Sequence, residues 1–179
     1  MSQTSHLKSA PITNLDAIPA VQNTAGIGAP GELRQVDGFA SSVSGDLAGS
    51  TYQLVRIPSN AKVKTVIWES AAMGAGKISL SAYYSDATQD GTAKANQGLV
   101  VPTTGATFFA SQIDCTSAIP QTNEVNQSGN YPIAYRQKEL WDALALSADP
   151  GGYFDIVAVV DTTAITTGAA MYLKVDYVI

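Results

Sequence analysis

From residue 46 onward, short stretches of alternating apolar and polar residues are separated by turn-forming residues, which limits this chain to a β-rich fold. Residues 77–84 (KISLSAYY) alternate cleanly, as expected of a strand with one buried face. Alternation also predicts strands at residues 62–69, 154–160 and 171–178, and the β-forming residues of 51–57 (TYQLVRI) predict a strand that ends at Pro58. Because such strands bury one face by packing against a second sheet, we expect a mostly β protein, an antiparallel β-sandwich that is jelly-roll-like.

A single short helix is predicted between the strands, at residues 136–146 (RQKELWDALAL). Leu140, Leu144 and Trp141 form its apolar stripe. The sequence Asp149-Pro150-Gly151-Gly152 then predicts a sharp turn into the next strand. Residues 111–135 are rich in Asn, Gln and Pro, and we expect a long loop there with at most one short strand.

The first 45 residues lack the pattern of the rest of the chain. Prolines at positions 11, 19 and 30 and several glycines interrupt any regular helix or central strand, and apolar residues occur singly. We interpret residues 1–45 as an extended N-terminal arm and residues 46–179 as the sandwich domain. The alternative interpretation is a floppy terminus. Fully extended, an arm of this length reaches at most about 150 Å.

Single apolar residues along the arm suggest that it lies on a protein surface. Two tyrosines on nominally outward strand faces are further interface candidates. The residues expected to contact other protein subunits are Leu7, Ile12, Leu15, Ile18, Val21, Ile27, Tyr83 and Tyr172.

Charge and composition exclude several classes of partner. Only 14% of the residues are charged and the formal net charge is -5. Lys and Arg are scattered, so we expect no direct contact with nucleic acid, which requires a basic stripe. No stretch of 18 apolar residues and no secretory signal is present, so no membrane association is expected. The lone Cys115 allows no intrachain disulfide and predicts synthesis in a reducing cytoplasm.

The residues that usually carry out chemistry are sparse. The one histidine, His6, lies in the arm, where no packed neighbours would hold it as a catalytic base. Residues 26–31 (GIGAPG) match a dinucleotide-binding pattern, but no strand precedes them and a proline occupies the expected helix start. We therefore expect no catalytic residue, no metal site and no cofactor.

A pair of carboxylates acting as acid and base, as in glycosidases on β-sandwich scaffolds, is the remaining enzymatic alternative. Asp155 and Asp176 occupy outward positions of alternating strands and are expected to be solvated. Asp149 is expected to be a turn residue. The acidic residues considered are Glu69, Asp142, Asp149, Asp155, Asp161 and Asp176.

Two segments resemble small virion proteins of tailed bacteriophages. Residues 56–63 (RIPSNAKV) resemble a strand–turn–strand segment of these proteins. Residues 140–144 (LWDAL), followed by residues 149–155 (DPGGYFD), resemble a helix and its exit into a strand. Both motifs are structural and carry no chemistry, and the resemblance covers roughly residues 50–179.

This resemblance implies a non-catalytic capsid cement or decoration protein. Such a protein would bind the outside of the assembled shell and stabilise contacts between major capsid subunits. The implied partners are the major capsid protein and further copies of the chain, as a homotrimer or another symmetric oligomer. Alternative hypotheses are a carbohydrate- or receptor-binding virion module and a structural protein of the head–tail joint or tail.

Overall fold

A computed structural model describes residues 6–8, 10–19, 32–44, 46–85, 98–101 and 105–179. The strands are β1 (His6–Lys8), β2 (Leu33–Ser41), β3 (Thr51–Pro58), β4 (Lys62–Ser70), β5 (Lys77–Tyr84), β6 (Ala110–Asp114), β7 (Ile119–Asn123), β8 (Tyr153–Val160) and β9 (Ala170–Val178). The helices are α1 (Ala10–Asp16), α2 (Glu124–Gln127), a 3-10 helix (Ile133–Gln137) and α3 (Leu140–Ala143).

The strands form two sheets, which confirms the predicted mostly β, sandwich-like architecture. One sheet has the order β1-β3-β8-β5-β6 and the other the order β2-β9-β4-β7. Neighbouring strands are antiparallel except for β1, which runs parallel to β3. Without β1, each of the two sheets contains four strands. Two packed four-stranded sheets are what a jelly roll requires, so the strand order supports this version of the sandwich. The jelly roll itself stays a prediction.

The core lies between the two sheets, where the alternating sequence pattern places it. The apolar positions of β5 expected to face inward, Ile78, Leu80 and Ala82, are fully buried. Trp68 on β4 and Phe154 on β8 are also fully buried in the same cluster. The five strands predicted from alternation are therefore observed, with ends that differ by one residue at most.

Strand β2 corrects the expectation that residues 1–45 contain no regular structure. Its nine residues pair along their whole length with β9, from Leu33 opposite Val178 to Ser41 opposite Ala170. Gly38 interrupts the strand pattern in the sequence, but the fold requires it. A Cβ atom at this position would lie 1.9 Å from the backbone oxygen of Leu54 on β3. Glycine therefore allows β2 to cross β3 closely.

The predicted helix at residues 136–146 is also corrected. The structure has a 3-10 helix before it and only four α-helical residues in α3. The amides of Leu140 and Trp141 donate to the carbonyls of Ala61 and Ser59 in the β3–β4 turn, which holds the start of α3 on the sandwich. Ala145 has a φ of 57° and ends the helix. In addition, residues 111–135 contain β7 and α2 as well as most of β6, which is more regular structure than expected.

Candidate interaction surfaces

The N-terminal segment, defined here as β1 and α1 with residues 17–19, is docked on the five-stranded sheet. Leu7 pairs with Tyr52 at the edge of the sheet, and α1 contacts β3. Ile12 on α1 is fully buried, and Leu7 is half-buried against the core. These two residues were expected to contact other subunits; in the structure both pack within the chain, and contacts with other subunits stay a prediction.

A chain of four charged side chains ties this segment to the sandwich. Lys8 pairs with Asp16 at 2.8 Å, and Asp16 in turn accepts a hydrogen bond from Nη1 of Arg56 on β3. Arg56 also donates to Asp155 on β8, from Nε at 2.7 Å and from Nη2 at 2.9 Å. Burial alone would lower the pKa of Arg56, but the carboxylates of Asp155 and then Asp16 raise it above its ordinary value.

Asp155 therefore has a different environment from the one expected. Its outward position on β8 predicted a solvated charge, yet its exposed fraction is 0%. The outer face of this sheet is covered at Arg56, which lies beside Asp155 and is itself in contact with the N-terminal segment. Asp176, by contrast, is half-buried and accepts a hydrogen bond from Thr65.

The other predicted interface residues are distributed over several places. Ile18 is 81% exposed at the end of the N-terminal segment. Val21, Ile27 and the side chain of Leu15 lie outside the described residues. Tyr83 is half-buried next to a bridge with Val100, and burial raises the pKa of its hydroxyl. A role in contacts between subunits stays a prediction for all of them.

The outer face of the four-stranded sheet presents an aromatic pair that sequence reasoning identified only in part. Tyr172 on β9 lies directly between Phe39 on β2 and Glu69 on β4 in the sheet register. Phe39 is 59% exposed, which makes it one of the most exposed large apolar residues described. It was missed because it lies in the region interpreted as the arm. Once residues 33–41 are recognised as a strand, their alternation places Phe39 outward.

A shallow cavity of about 510 Å³ opens on this face, and we call it the Phe39–Tyr172 cavity. Its walls are Phe39, Glu69, Ser70, Ala71, Gln121, Ala170, Met171 and Tyr172. Burial, followed by the nearby carboxylates of Asp37, Glu69 and Asp176, raises the pKa of the Tyr172 hydroxyl.

The acidic residues considered for hydrolysis mostly have structural contacts. Asp161 accepts a hydrogen bond from Ser79, Asp142 forms an ion pair with Lys138, and Asp149 accepts a hydrogen bond from the backbone amide of Gly151.

Cys115 is buried, and burial raises the pKa of its thiol. Within the described ranges, no group of three or more His, Cys, Asp or Glu residues is placed to hold a metal ion. No helix in the described part of the chain is long and apolar enough to cross a membrane.

Comparison with known proteins gives a likeness in fold and none in sequence. No family model matches the chain, and no curated protein sequence matches it. A chain in the solved structure "Capsid of Ralstonia phage GP4" is similar with a TM-score of 0.66 at 12% identity, over 97% of both chains. A chain of the "Cyanophage Pam1 capsid asymmetric unit" aligns at 16% identity over 91% of this chain and 96% of that one. Its TM-score is 0.37. The first likeness shows that the two chains share a fold.

Proposed function

We propose that this chain is a non-catalytic structural protein of a tailed-phage virion that cements or decorates the outside of the assembled capsid. The observation that carries the proposal is the fold shared over 97% of both chains with a component of the Ralstonia phage GP4 capsid. The structural motifs at residues 56–63, 140–144 and 149–155, which resemble segments of small virion proteins, support the same assignment.

The proposed mechanism is stabilisation of the assembled shell by preferential binding. A ligand that binds one state and not another shifts the equilibrium toward the state it binds. The sandwich supplies a rigid body that sits where major capsid subunits meet, as a homotrimer or another symmetric oligomer. Many identical contacts around the shell then add to retention through multivalency.

The arm in this proposal comprises residues 1–31, because residues 33–41 belong to the four-stranded sheet. Ile18 presents an exposed apolar side chain close to the point where residues 20–31 begin. Those twelve residues span at most about 40 Å when extended. Because the segments on either side of them are held on the body, these residues project at most about 20 Å from it, within reach of a subunit in direct contact.

The test is size-exclusion chromatography with light scattering on the purified chain, alone and mixed with capsid shells that lack it. We expect a defined oligomer that co-elutes with the shells and raises their melting temperature. An acidic β-sandwich protein of unrelated origin provides the control for non-specific binding. A chain that neither co-elutes with shells nor changes their melting would contradict the cement proposal.

The role of the arm is tested by deleting residues 1–31, which leaves β2 in place. Because the core cluster lies between the sheets, this truncated chain is expected to fold and to occupy shells less than the full chain does. Deletion of residues 1–5 alone, which keeps β1, is the matched control. Equal shell occupancy by the two truncated chains would remove the arm from the proposal.

A further inference from the structure

Phe39 and Tyr172 line the Phe39–Tyr172 cavity from adjacent strands. Phe39 and Tyr172 are directly opposite each other on adjacent antiparallel strands, where side chains stand about 5 Å apart at their Cβ atoms. Aromatic pairs at such positions commonly pack ring against ring. Among the described residues these two rings are not one of the stacked or edge-to-face pairs, and both side chains line the cavity. Phe39 is exposed and Tyr172 is half-buried, so a group bound in the cavity can contact both side chains.

The charges around the cavity favour a cation. Glu69 lies in the same row as the two rings, on the third strand, and lines the cavity. In the described part of the chain its carboxylate has no hydrogen-bond or ion-pair partner, and the same holds for Asp37 in the next row. Lys174, the cation opposite Asp37, forms no ion pair with either acid within 4.0 Å.

We infer that the Phe39–Tyr172 cavity binds an arginine side chain presented by the protein on which this chain docks. A guanidinium stacks on aromatic faces and pairs with a carboxylate through parallel hydrogen bonds, and the cavity offers both groups together. Its volume of about 510 Å³ lies within the range of ordinary binding pockets. The inference rests on the proposed function only for the source of the arginine, a capsid subunit.

The recognition chemistry is tested on the full chain with N-acetyl-arginine amide, followed through the ring signals of Phe39 and Tyr172 in NMR spectra. We expect a saturable shift of these signals. N-acetyl-citrulline amide, a neutral analogue of nearly the same shape, should give a much smaller one. Glu69→Gln is expected to weaken the arginine response by a factor of up to about five, the upper end of the range of an exposed ion pair. Phe39→Ala should weaken it by a similar factor.

The matched control is Asp142→Asn, which also removes one surface carboxylate but lies at the opposite end of β4, beside the β3–β4 turn. It should leave the arginine response unchanged. An equal response to citrulline, or no effect of Glu69→Gln and Phe39→Ala, would overturn the inference. Binding of a glycan through the same rings, without any response to arginine, would overturn it in favour of a sugar site.

Shell binding separates this inference from the proposed function. We expect Glu69→Gln and Phe39→Ala to reduce shell occupancy, and Asp142→Asn to leave it unchanged. If all three variants and the parent chain occupy shells equally, the arginine site fails and the cement function stands. If the parent chain binds arginine through Glu69 but ignores the shells, the capsid assignment fails and the arginine site stands.

Discussion

Arg56 and Asp155 form a buried, two-pronged ion pair that joins β3 to β8 on the outer face of the five-stranded sheet. The carboxylate accepts hydrogen bonds of 2.7 Å from Nε and 2.9 Å from Nη2, and the two residues are 6% and 0% exposed. The remaining terminal nitrogen of Arg56 donates to Asp16 on α1. The pair therefore connects the sandwich with the segment that precedes β2.

Removing one partner of this buried pair is expected to destabilise the sandwich strongly. Asp155→Ala removes the two-pronged partner of the buried Arg56 charge and leaves its contact with Asp16, and such a loss costs about 3–5 kcal/mol. Urea denaturation followed by tryptophan fluorescence measures this change. The exposed pair between Lys138 and Asp142 serves as the comparison, because Asp142→Ala should cost less than about 1 kcal/mol.

Replacing both partners is expected to be much milder than replacing one. The double variant Arg56→Met, Asp155→Leu removes both charges of the pair, so neither is left buried on the sandwich without the other. Its free energy of unfolding should exceed that of Asp155→Ala in the same urea experiment. A double variant at least as unstable as the single one would show that the pair is needed for packing as well as for charge balance.

Asp16→Asn is expected to loosen the N-terminal segment while leaving the sandwich intact. The change removes the negative charge shared between Lys8 and Arg56, and hydrogen bonds to charged groups contribute about 1.5–3 kcal/mol. Hydrogen exchange of the amides of β1 and α1 should become about tenfold faster or more, and that of β8 should not change. Uniformly faster exchange would instead mean that the segment and the sandwich unfold together.

Gly38→Ala is expected to push β2 away from β3. The added Cβ would lie 1.9 Å from the backbone oxygen of Leu54, so backbone must move, and overpacking of this kind costs about 1–3 kcal/mol. Thermal unfolding of the variant measures the loss. Gln35→Ala, at an exposed position of the same strand, should have little effect. Equal stability of the two variants would contradict the close crossing at Gly38.

The buried carboxyl group of Glu124 is expected to make the protein less stable as the pH rises toward 7. Burial raises its pKa above the ordinary value of 4.5, so folding favours the protonated form. Its contribution to stability is complete below about pH 4.5 and is lost as the pH rises through the higher pKa of the folded state. Glu124→Gln, which stays neutral, should therefore become more stable than the parent chain as the pH approaches 7.

Asp114 provides a control of opposite sign for this experiment. Hydrogen bonds from Thr116 lower the pKa of Asp114 below its ordinary value of 3.8. Its contribution is present above that pH and is lost as the pH falls through the lower pKa of the folded state. Asp114→Asn should thus be the less stable chain near pH 7 and approach the parent chain in acid. The same sign for both variants would contradict the assignment of burial to Glu124.

Much of the sandwich was predictable because its strands carry their own signal. Alternating apolar residues along β4, β5, β8 and β9 and the β-forming residues of β3 were enough to predict these strands, although β3, β5 and β8 are buried along almost their whole length. Strand β2 carries a weaker signal, since it is an edge strand with a glycine inside it and with Phe39 exposed. Of the residues at the Phe39–Tyr172 cavity, the sequence predicted only Tyr172 as an interface residue. Phe39, Tyr172 and Glu69 lie side by side on three strands from separate parts of the sequence, so no local pattern shows that they are neighbours.

The sequence by itself determined the β-rich class, the positions of five strands, the inward faces of β5, β8 and β9 and the sparsity of catalytic groups, because each follows from local residue patterns or from counting residues. The tertiary structure decided that β2 joins the four-stranded sheet, that Asp155 is buried, and that Phe39, Tyr172 and Glu69 share one row. These features depend on which distant segment covers or adjoins a strand. Alternation within a strand specifies a buried side, but it does not specify the neighbour that packs there.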